Sequence, residues 1–291
     1  MIRFSKYIWL YICISGVVLV PGIISLLLFG LAPSIDFTGG TLVEVAKSSR
    51  ISPDQLQHLA ADDGIEAINT EEQSASIVIR AKPVQTENLT KFEQDIRALA
   101  SDSASILRVE TVGPLLGKEL LTKAGVAAAI AAFGILLFVA YSFRDLTSGV
   151  AAVVALIHDV LVVFGSFSLL GHFWGIEVDT LFVTAFLTTM SFSVHDTIVV
   201  FDRIREYGKR GERLTFRERC DVALTETMGR SVTNSLTIIF MLLALVLLGG
   251  ETIRWFAVAL LIGTISGTYS SPFVATPILM FLHKRSGVEA G

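Results

Sequence analysis

The sequence predicts a polytopic α-helical membrane protein with six transmembrane helices and one α+β domain outside the membrane. Three observations support this fold class. Hydrophobic residues make up 52% of the 291 residues and charged residues only 17%, whereas soluble domains carry about 25% charged residues. Uncharged segments recur along the chain. One long polar segment, residues 36–117, separates the first of them from the rest.

Six apolar segments are each long enough to cross a bilayer, which requires roughly 20 residues. They are Tyr7–Ile35, Ala124–Phe143, Leu146–Leu170, Thr180–Phe201, Ser231–Gly250 and Trp255–Leu282. The first segment is longer than the roughly 7–15 apolar residues of a signal peptide. We therefore expect residues 1–35 to form a retained N-terminal anchor and residues 118–291 to form a five-helix region.

The distribution of basic residues predicts the orientation, because lysine and arginine favour the cytoplasmic side in short loops. The predicted inner segments hold thirteen of them, whereas the short outer loops hold only Arg254. The thirteen are Arg3, Lys6, Arg144, Arg203, Arg205, Lys209, Arg210, Arg213, Arg217, Arg219, Arg230, Lys284 and Arg285. Both termini and a loop at residues 202–230 are therefore expected in the cytoplasm.

Residues 36–117 carry the pattern of a small α+β domain. Thr41–Ala46 alternates as a strand does, and Ser52-Pro53 predicts the start of a helix. Two further strands, a helix over Glu87–Ala100 and a last strand over Ser105–Val112 follow. The order β-α-β-β-α-β is that of a ferredoxin-like domain, which the orientation places on the extracytoplasmic side.

Several functional classes find no support in the sequence. The net charge of −4 does not suggest a nucleic-acid-binding surface. Gly39-Gly40 precedes a predicted strand rather than opening a helix, so it does not resemble a dinucleotide-binding loop. Cys13 and Cys220 have no metal-ligand residues nearby. We expect no cofactor, no metal and no covalent chemistry, and therefore a transport subunit rather than an enzyme.

Ionisable residues within the apolar segments are the candidate functional residues, because charge inside a membrane is costly and commonly marks an ion path. His158 and Asp159 lie in the third segment, His195 and Asp196 in the fourth, and Arg230 at the start of the fifth. The alternative is structural. Asp159 could be hydrogen-bonded within the bundle, and Arg230 could extend to the membrane interface.

Helical spacing strengthens the functional interpretation for two of these residues. Ser193, Asp196 and Thr197 share one face of the fourth segment. The fifth segment carries a polar stripe at i, i+3, i+4 and i+7, which consists of Arg230, Thr233, Asn234 and Thr237. We expect the two stripes to face each other, so that Asp196 pairs with Arg230 and can take up and release a proton.

The sixth segment contains small residues at four-residue spacing, Gly263 and Gly267, which allow close helix packing. Pro272 and Pro277 predict a kink or a locally broken helix. A moving hinge and simple tight packing are both compatible with this pattern.

Four motifs together resemble the SecD/SecF family of protein-translocase subunits. The first is Asp36-Phe37-Thr38-Gly39-Gly40-Thr41, directly after the first segment. The others, which are similar to those of SecF members, are Ile157-His158-Asp159, Val194–Glu206 and Gly229–Ser235. The resemblance covers nearly the whole chain in order. The paired glycines of the first motif are expected to shape the join between helix and domain.

This resemblance implies a function in the Sec pathway. The family is related to the proton-driven transporters of the resistance-nodulation-division superfamily, and SecD supplies the other half of the transporter. Members associate with the SecYEG channel, often with YajC and YidC. They use the proton-motive force to complete the export of unfolded chains after SecA has pushed them through. A bacterial inner membrane is the implied location.

The resemblance also implies roles for individual residues. Asp196 occupies the proton-relay position and Arg230 the position of its basic partner, with Asp159, His158 and His195 as further candidates. His195 departs from the family pattern, since many relatives carry asparagine there.

The sequence supports two other functions less well. An intramembrane metalloenzyme would need the two His-Asp pairs as ligands, but neighbouring residues on a helix point about 100° apart. A proton-driven exporter of small molecules would need a second half and larger outer domains than residues 36–117 provide.

Overall fold

The computed structural model describes residues 4–47, 52–72, 76–100, 106–143, 145–210 and 214–285. Three of the thirteen inner basic residues, Arg3, Arg144 and Arg213, lie outside this part of the chain. The chain divides into two compact units. One unit is Pro33–Gly125, and the other joins Met1–Ala32 to Val126–Gly291.

The smaller unit contains a four-stranded sheet and two longer helices. Its elements are α2 (Ile35–Thr38), β1 (Gly40–Ala46), α3 (Pro53–Asp62), β2 (Ala67–Glu72), β3 (Ser76–Ala81), α4 (Thr86–Ala100) and β4 (Ile106–Val112). The predicted start of α3 is confirmed. The Ser52 hydroxyl accepts from the Gln55 backbone N–H, and the Gln55 side chain accepts from the Ser52 N–H. This reciprocal capping box satisfies two backbone donors that the helix leaves free.

The sheet is antiparallel throughout, with the strand order β2-β3-β1-β4. Alternate residues of its central strands point to one side and pack against the helices, as the period of a strand requires. The buried core there includes Val43, Val45, Ile77, Ile79, Leu56, Phe92 and Ile96. Four strands and two helices therefore follow one another in the predicted order.

The glycine pair at the start of β1 is required by its surroundings. Gly39 has φ of 74° and Gly40 has φ of 144°, a region that side chains disfavour. A Cβ on Gly39 would lie 2.7 Å from the Pro114 Cα, and one on Gly40 would lie 2.8 Å from the Ala81 carbonyl oxygen. Asp36 lies in α2, where its backbone N–H donates to the Ser34 hydroxyl. Phe37 is buried, and the Thr38 hydroxyl donates to the Ser34 carbonyl.

The larger unit is helical. Its elements are α1 (Ile8–Phe29), α5 (Pro114–Phe143, from Val126 onward), α6 (Leu146–Trp174), α7 (Thr180–Lys209), α8 (Phe216–Leu248), α9 (Glu251–Ser270) and α10 (Thr276–Arg285). Within the described residues, six helices are long and apolar enough to cross a membrane, with the last running from Ile253 to Lys284. The chain is therefore a multi-pass helical membrane protein, as the sequence predicts.

The predicted loop at residues 202–230 is largely helical, which corrects the sequence interpretation. α7 continues to Lys209 and α8 begins at Phe216, and residues 211–213 between them lie outside the described part of the chain. The Thr215 hydroxyl caps α8 by accepting from the Glu218 N–H, and the Glu218 side chain accepts from the Thr215 N–H. Charged residues mark the end of the apolar segment, but they do not interrupt a helix.

The last membrane span contains the irregularity predicted near Pro272. Ser271–Ala275 forms a π-helical segment between α9 and α10. Proline has no N–H to donate, so the regular hydrogen-bond pattern is interrupted there. The Thr276 backbone N–H bonds instead to the Ser271 carbonyl, five residues back. The hydroxyls of Ser271 and Thr276 donate to the carbonyls of Gly267 and Ser271, each of which also accepts a backbone N–H.

Candidate functional site

A buried carboxylate, Asp159 on α6, lies where three helices of the larger unit meet. Only 5% of Asp159 is exposed. Its Oδ1 accepts from the Ser266 hydroxyl at 2.6 Å and lies 3.0 Å from the His158 Nδ1. Its Oδ2 accepts from the Ser193 and Ser270 hydroxyls, each at 2.6 Å. Four partners thus surround the two oxygens, as a buried charged group requires.

The serines reach Asp159 because α7 and α9 approach closely. A Cβ on Gly263 would lie 2.2 Å from the Thr189 Cγ2, and one on Gly267 would lie 3.2 Å from the Ser193 Cα. The two glycines are four residues apart and so lie on one face of α9. Their absence of side chains allows the backbones to approach, as small residues do in membrane helix pairs. The predicted tight packing of the sixth segment is confirmed.

His158 packs beside Asp159 and has one free nitrogen. The residue is 7% exposed, and its ring lies 6.3 Å from the ring of Tyr269. Its Nδ1 contacts Asp159, whereas its Nε2 is buried and has no hydrogen-bond partner among the described residues. The two side chains thus approach each other, although neighbouring residues on a helix point about 100° apart.

Asp196 on α7 lies in a different environment. It is half-buried, and the Ser231 hydroxyl of α8 donates to its Oδ1 at 3.3 Å. This is a longer contact than those made by Asp159. Its neighbour His195 is exposed. Asp196 therefore has acceptor capacity left for a further donor, a water molecule or a proton.

Arg230 does not make the contact with Asp196 that the sequence suggested. In the described part of the chain, no ion pair of 4.0 Å or less joins the two side chains, and Arg230 is exposed. The physical reason is the rotation of α8. Residues 230 and 231 point about 100° apart, and Ser231 is the one that faces α7.

The whole polar stripe of α8 follows Arg230 to the outside of the helical unit. Thr233, Asn234 and Thr237 are exposed, whereas Ser235, on the other face, is buried and accepts from the Thr268 hydroxyl. The hydroxyls of Thr233 and Thr237 donate to carbonyls of their own helix. The two stripes of the sequence analysis therefore do not face each other within this chain.

A short chain of contacts connects Asp159 to Thr197, the neighbour of Asp196 on α7. The Thr197 hydroxyl, next to Asp196, donates to the Ser193 carbonyl at 3.1 Å and lies 3.0 Å from the Ser271 hydroxyl. Ser193 and Ser270 both donate to Asp159. Ser270 ends α9 and Ser271 begins the π-helical segment. Asp159, the π-helical segment and the helix that carries Asp196 are thus packed as one group.

A cavity of about 250 Å³ lies between α7, α8, α9 and the π-helical segment. Its walls are mainly apolar and include Val232, Ile265 and Phe273. Ser231, which donates to Asp196, is one of the few polar residues that line it. In the described residues, no three of His, Cys, Asp and Glu are grouped so that they could hold a metal ion.

Sequence reasoning missed two parts of this unit. The sequence analysis assigns no role to Ser266 and Ser270, although their i, i+4 spacing places both hydroxyls on one helix face. Asp221 was not singled out, yet it is 3% exposed and binds the start of the chain. Its carboxylate accepts from the Ser5 backbone N–H at 2.9 Å and from the Ser5 hydroxyl at 2.8 Å.

Comparison with protein families gives two matches. Residues 91–285 match the family described as protein export membrane protein SecD/SecF, C-terminal. Residues 24–46, which include Gly39 and Gly40, match the SecD/SecF GG motif.

Individual proteins give the same result over longer ranges. The protein translocase subunit SecF of Anaerolinea thermophila is 39% identical, over 94% of this chain and 91% of that protein. SecF of Thermobaculum terrenum is 38% identical, over 96% of this chain and 93% of its own length. SecDF of Thermus thermophilus is 36% identical, over 88% of this chain but only 35% of that protein.

Solved structures agree with the sequence comparison. The crystal structure of SecDF from Thermus thermophilus, a translocon-associated membrane protein, matches with a TM-score of 0.86 and 32% identity over 98% of this chain. SecDF in a super-membrane-facing form matches with a TM-score of 0.67 and 30% identity over 99% of this chain. The chain spans 39% of the length of each of these SecDF chains.

Proposed function

The chain belongs to the SecD/SecF family of protein export membrane proteins, and from this membership we propose that it uses the proton-motive force to promote protein translocation. In this proposal it acts with SecD at the SecYEG channel of the bacterial inner membrane. Its substrates are unfolded secretory chains. SecA, YajC and YidC are further proposed partners, by resemblance to the family.

The observation that carries the proposal is the exposed polar stripe of α8. Arg230, Thr233, Asn234 and Thr237 lie on the surface of a helix that is otherwise apolar enough to span a membrane. A guanidinium and an amide are costly to leave against lipid, so such a face needs a protein partner or water. SecDF relatives carry a second region in the same chain, since this chain spans only about a third of them. We propose that SecD covers the stripe.

Asp196 is the proposed proton carrier. It is half-buried and has one long hydrogen bond, so it can gain or lose a proton without breaking a saturated network. A proton that moves through about 150 mV releases roughly 3.5 kcal/mol, which is enough to shift a two-state equilibrium substantially. Loss of the proton would draw the Arg230 guanidinium toward Asp196, and its return would release Arg230 to the partner.

The proposed topology places both termini in the cytoplasm and residues 36–117 outside it as a ferredoxin-like domain. The charge asymmetry of the short loops supports this orientation. The strand order β2-β3-β1-β4, with two helices after β1 and β3, supports the domain type. The coupling of Asp196 to export through movement of this domain is part of the same proposal.

The test is proton-dependent export in membrane vesicles that contain SecD, SecYEG and either the wild-type chain or a variant. Asp196→Asn and Arg230→Ala should each abolish the stimulation by the proton-motive force while SecA-driven export continues. Asp202→Asn is the matched control, because it removes one negative charge from the same helix at an exposed position paired with Arg205. Undiminished stimulation in both Asp196→Asn and Arg230→Ala would refute the proposal.

A further inference from the structure

A group of three serines around Asp159 forms what we call the hydroxyl clamp: Ser193 on α7 and Ser266 and Ser270 on α9. We infer that Asp159, through this clamp, is a positioning residue for Asp196 and does not itself carry the transported proton. The inference rests on the proposed function, because it assigns the proton to Asp196. It separates two aspartates that the sequence alone places in one class.

The hydrogen-bonding capacity of the Asp159 carboxylate is already used by neighbouring groups. Each carboxylate oxygen has two partners, one or two of which are serine hydroxyls at 2.6 Å. A proton on either oxygen would convert an acceptor into a donor and leave a buried hydroxyl without its bond. Both oxygens are enclosed, since Asp159, Ser193 and Ser270 are each at most 5% exposed. The site is therefore built to hold a fixed charge.

The hydroxyl clamp also fixes the part of α7 that carries Asp196. Ser193 and Asp196 are three residues apart, so they lie on the same side of α7. Ser193 is held by Asp159, and Thr197 is held against Ser271 at 3.0 Å, so α7 is fixed on both sides of Asp196. The rotation of α7 about its own axis is therefore fixed, and this rotation determines which group of α8 contacts Asp196. In this structure the group is Ser231.

The π-helical segment lies directly next to the hydroxyl clamp. Clamp residue Ser270 immediately precedes it, and Ser271, its first residue, contacts Thr197. π-helical segments inside α-helices occur frequently at functional sites. The clamp therefore fixes the end of α9 at the point where the hydrogen-bond pattern of that helix changes.

The titratable groups around the two aspartates determine how a pH profile is interpreted. Beside Asp159 these are His158 on α6 and Tyr269 on α9, whose hydroxyl donates to the Tyr11 carbonyl of α1. Beside Asp196 these are His195 on α7 and Arg230 on α8. Serine substitutions in the clamp leave all of these groups in place, so they are the sharper probes.

The experiment measures the pH dependence of proton-driven export for Ser193→Ala, Ser270→Ala and Asp159→Asn, with expression and thermal unfolding measured in parallel. We expect both serine variants to retain stimulation with a midpoint shifted by about half a pH unit or more, because the surroundings of Asp196 change. Asp159→Asn should shift the midpoint in the same direction. Thr188→Ala is the matched control, since that exposed hydroxyl donates only within α7, to the Thr184 carbonyl.

A second measurement does not depend on proton transport. Ser231→Cys in a chain with Cys13→Ala and Cys220→Ala provides a single thiol beside Asp196. Adding Ser270→Ala should change its rate of reaction with a soluble maleimide about threefold or more, as expected for sites coupled through packed helices. Adding Thr188→Ala should not.

The outcomes are distinct. Shifted midpoints together with a changed labelling rate support the inference. Loss of all stimulation in Asp159→Asn with unshifted serine variants would mean that Asp159 carries the proton, and would overturn it. Lower thermal stability with an unchanged midpoint and labelling rate would overturn it as well. If export by the wild-type chain showed no proton dependence while labelling changed, the proposed function would fail and the positioning role would stand.

Discussion

Asp159 and Asp196 are both carboxylates on membrane-spanning helices, and they differ in how completely their oxygens are bonded. Asp159 is 5% exposed and has four partners, whereas Asp196 is half-buried and has one hydroxyl donor at 3.3 Å. A saturated buried carboxylate stabilises the helices that supply its donors. One with few donors stabilises little and is free to exchange partners. In our proposal, the number of donors, rather than the presence of an intramembrane charge, distinguishes the positioning aspartate from the proton carrier.

The largest expected effect is the difference in stability between a variant without the Asp159 carboxylate and one without the Asp196 carboxylate. Asp159→Ala should lower the free energy of unfolding by about 3–5 kcal/mol, because it removes the carboxylate that three buried hydroxyls and the His158 ring contact. Asp196→Ala should lower it by about 1 kcal/mol or less, since one long hydrogen bond is lost. Unfolding titrations in mixed detergent micelles measure both. Equal losses would remove the distinction between the two sites.

A substitution in the packing beneath the clamp should have the next largest effect. Gly263→Ala places a Cβ 2.2 Å from the Thr189 Cγ2 and 2.5 Å from its Cβ, so α7 and α9 must separate. We expect a loss of about 2–3 kcal/mol, the cost of overpacking a tight contact. Gly134→Ala on α5 is the control, because nothing lies within 4 Å of its Cβ position. A stable Gly263→Ala protein would show that the clamp does not depend on this approach.

Single donors should contribute less than either of these. Ser266→Ala removes one 2.6 Å hydrogen bond to the Asp159 carboxylate and should cost about 1.5 kcal/mol, as for bonds to charged groups. Ser231→Ala, which removes the donor to Asp196, should cost about 0.5 kcal/mol. The same unfolding titration compares them. A larger loss for Ser231→Ala would reverse the assignment of the two sites.

The smallest effect is expected for a third carboxylate, in the smaller unit. Asp63 is buried but pairs at 2.8 Å with the exposed Lys91, and the hydrogen bond and charge of Asp63 raise the pKa of Lys91. The pair therefore stabilises the folded chain fully below the ordinary lysine pKa of about 10.4, and this contribution is lost as the pH rises through the raised value.

Lys91→Met tests this pH dependence. The difference in melting temperature between wild type and variant should be small at pH 8 and should shrink toward zero as the pH rises through the raised pKa of Lys91, above which the lysine is neutral in both states. Lys82→Met, which removes a pair formed with the exposed Glu66, is the matched surface control. A difference that grows with pH would contradict the assigned sign.

The number and order of the six spans follow from local properties of the sequence. Hydrophobic length and loop charge are counted along the chain and need no knowledge of tertiary contacts. Ionisable residues inside the spans can also be located without knowledge of tertiary contacts. The sequence therefore indicates both Asp159 and Asp196. The helical parts of 202–230 were missed because charge ends a membrane segment without ending a helix.

The partners of the two aspartates depend on contacts that periodicity does not report. Spacing shows that Arg230 lies in a polar stripe, but the rotation of α8 decides whether that stripe faces α7 or the exterior, and Ser231 faces α7. Ser266 and Ser270 resemble packing residues because serine suits both roles in membrane helices. Their donor role requires α6, α7 and α9 to meet at Asp159, which only the folded chain shows.

The exposed stripe of α8 also has a consequence for the synthesis of the protein. In a newly inserted copy that has not bound its partner subunit, Arg230 and Asn234 would lie against acyl chains. An unassembled subunit is therefore less stable in the bilayer than an assembled one. Surplus copies should therefore be recognised and degraded. Degradation of the unassembled subunit would then keep the amounts of the two subunits equal, even if the two are translated at different rates.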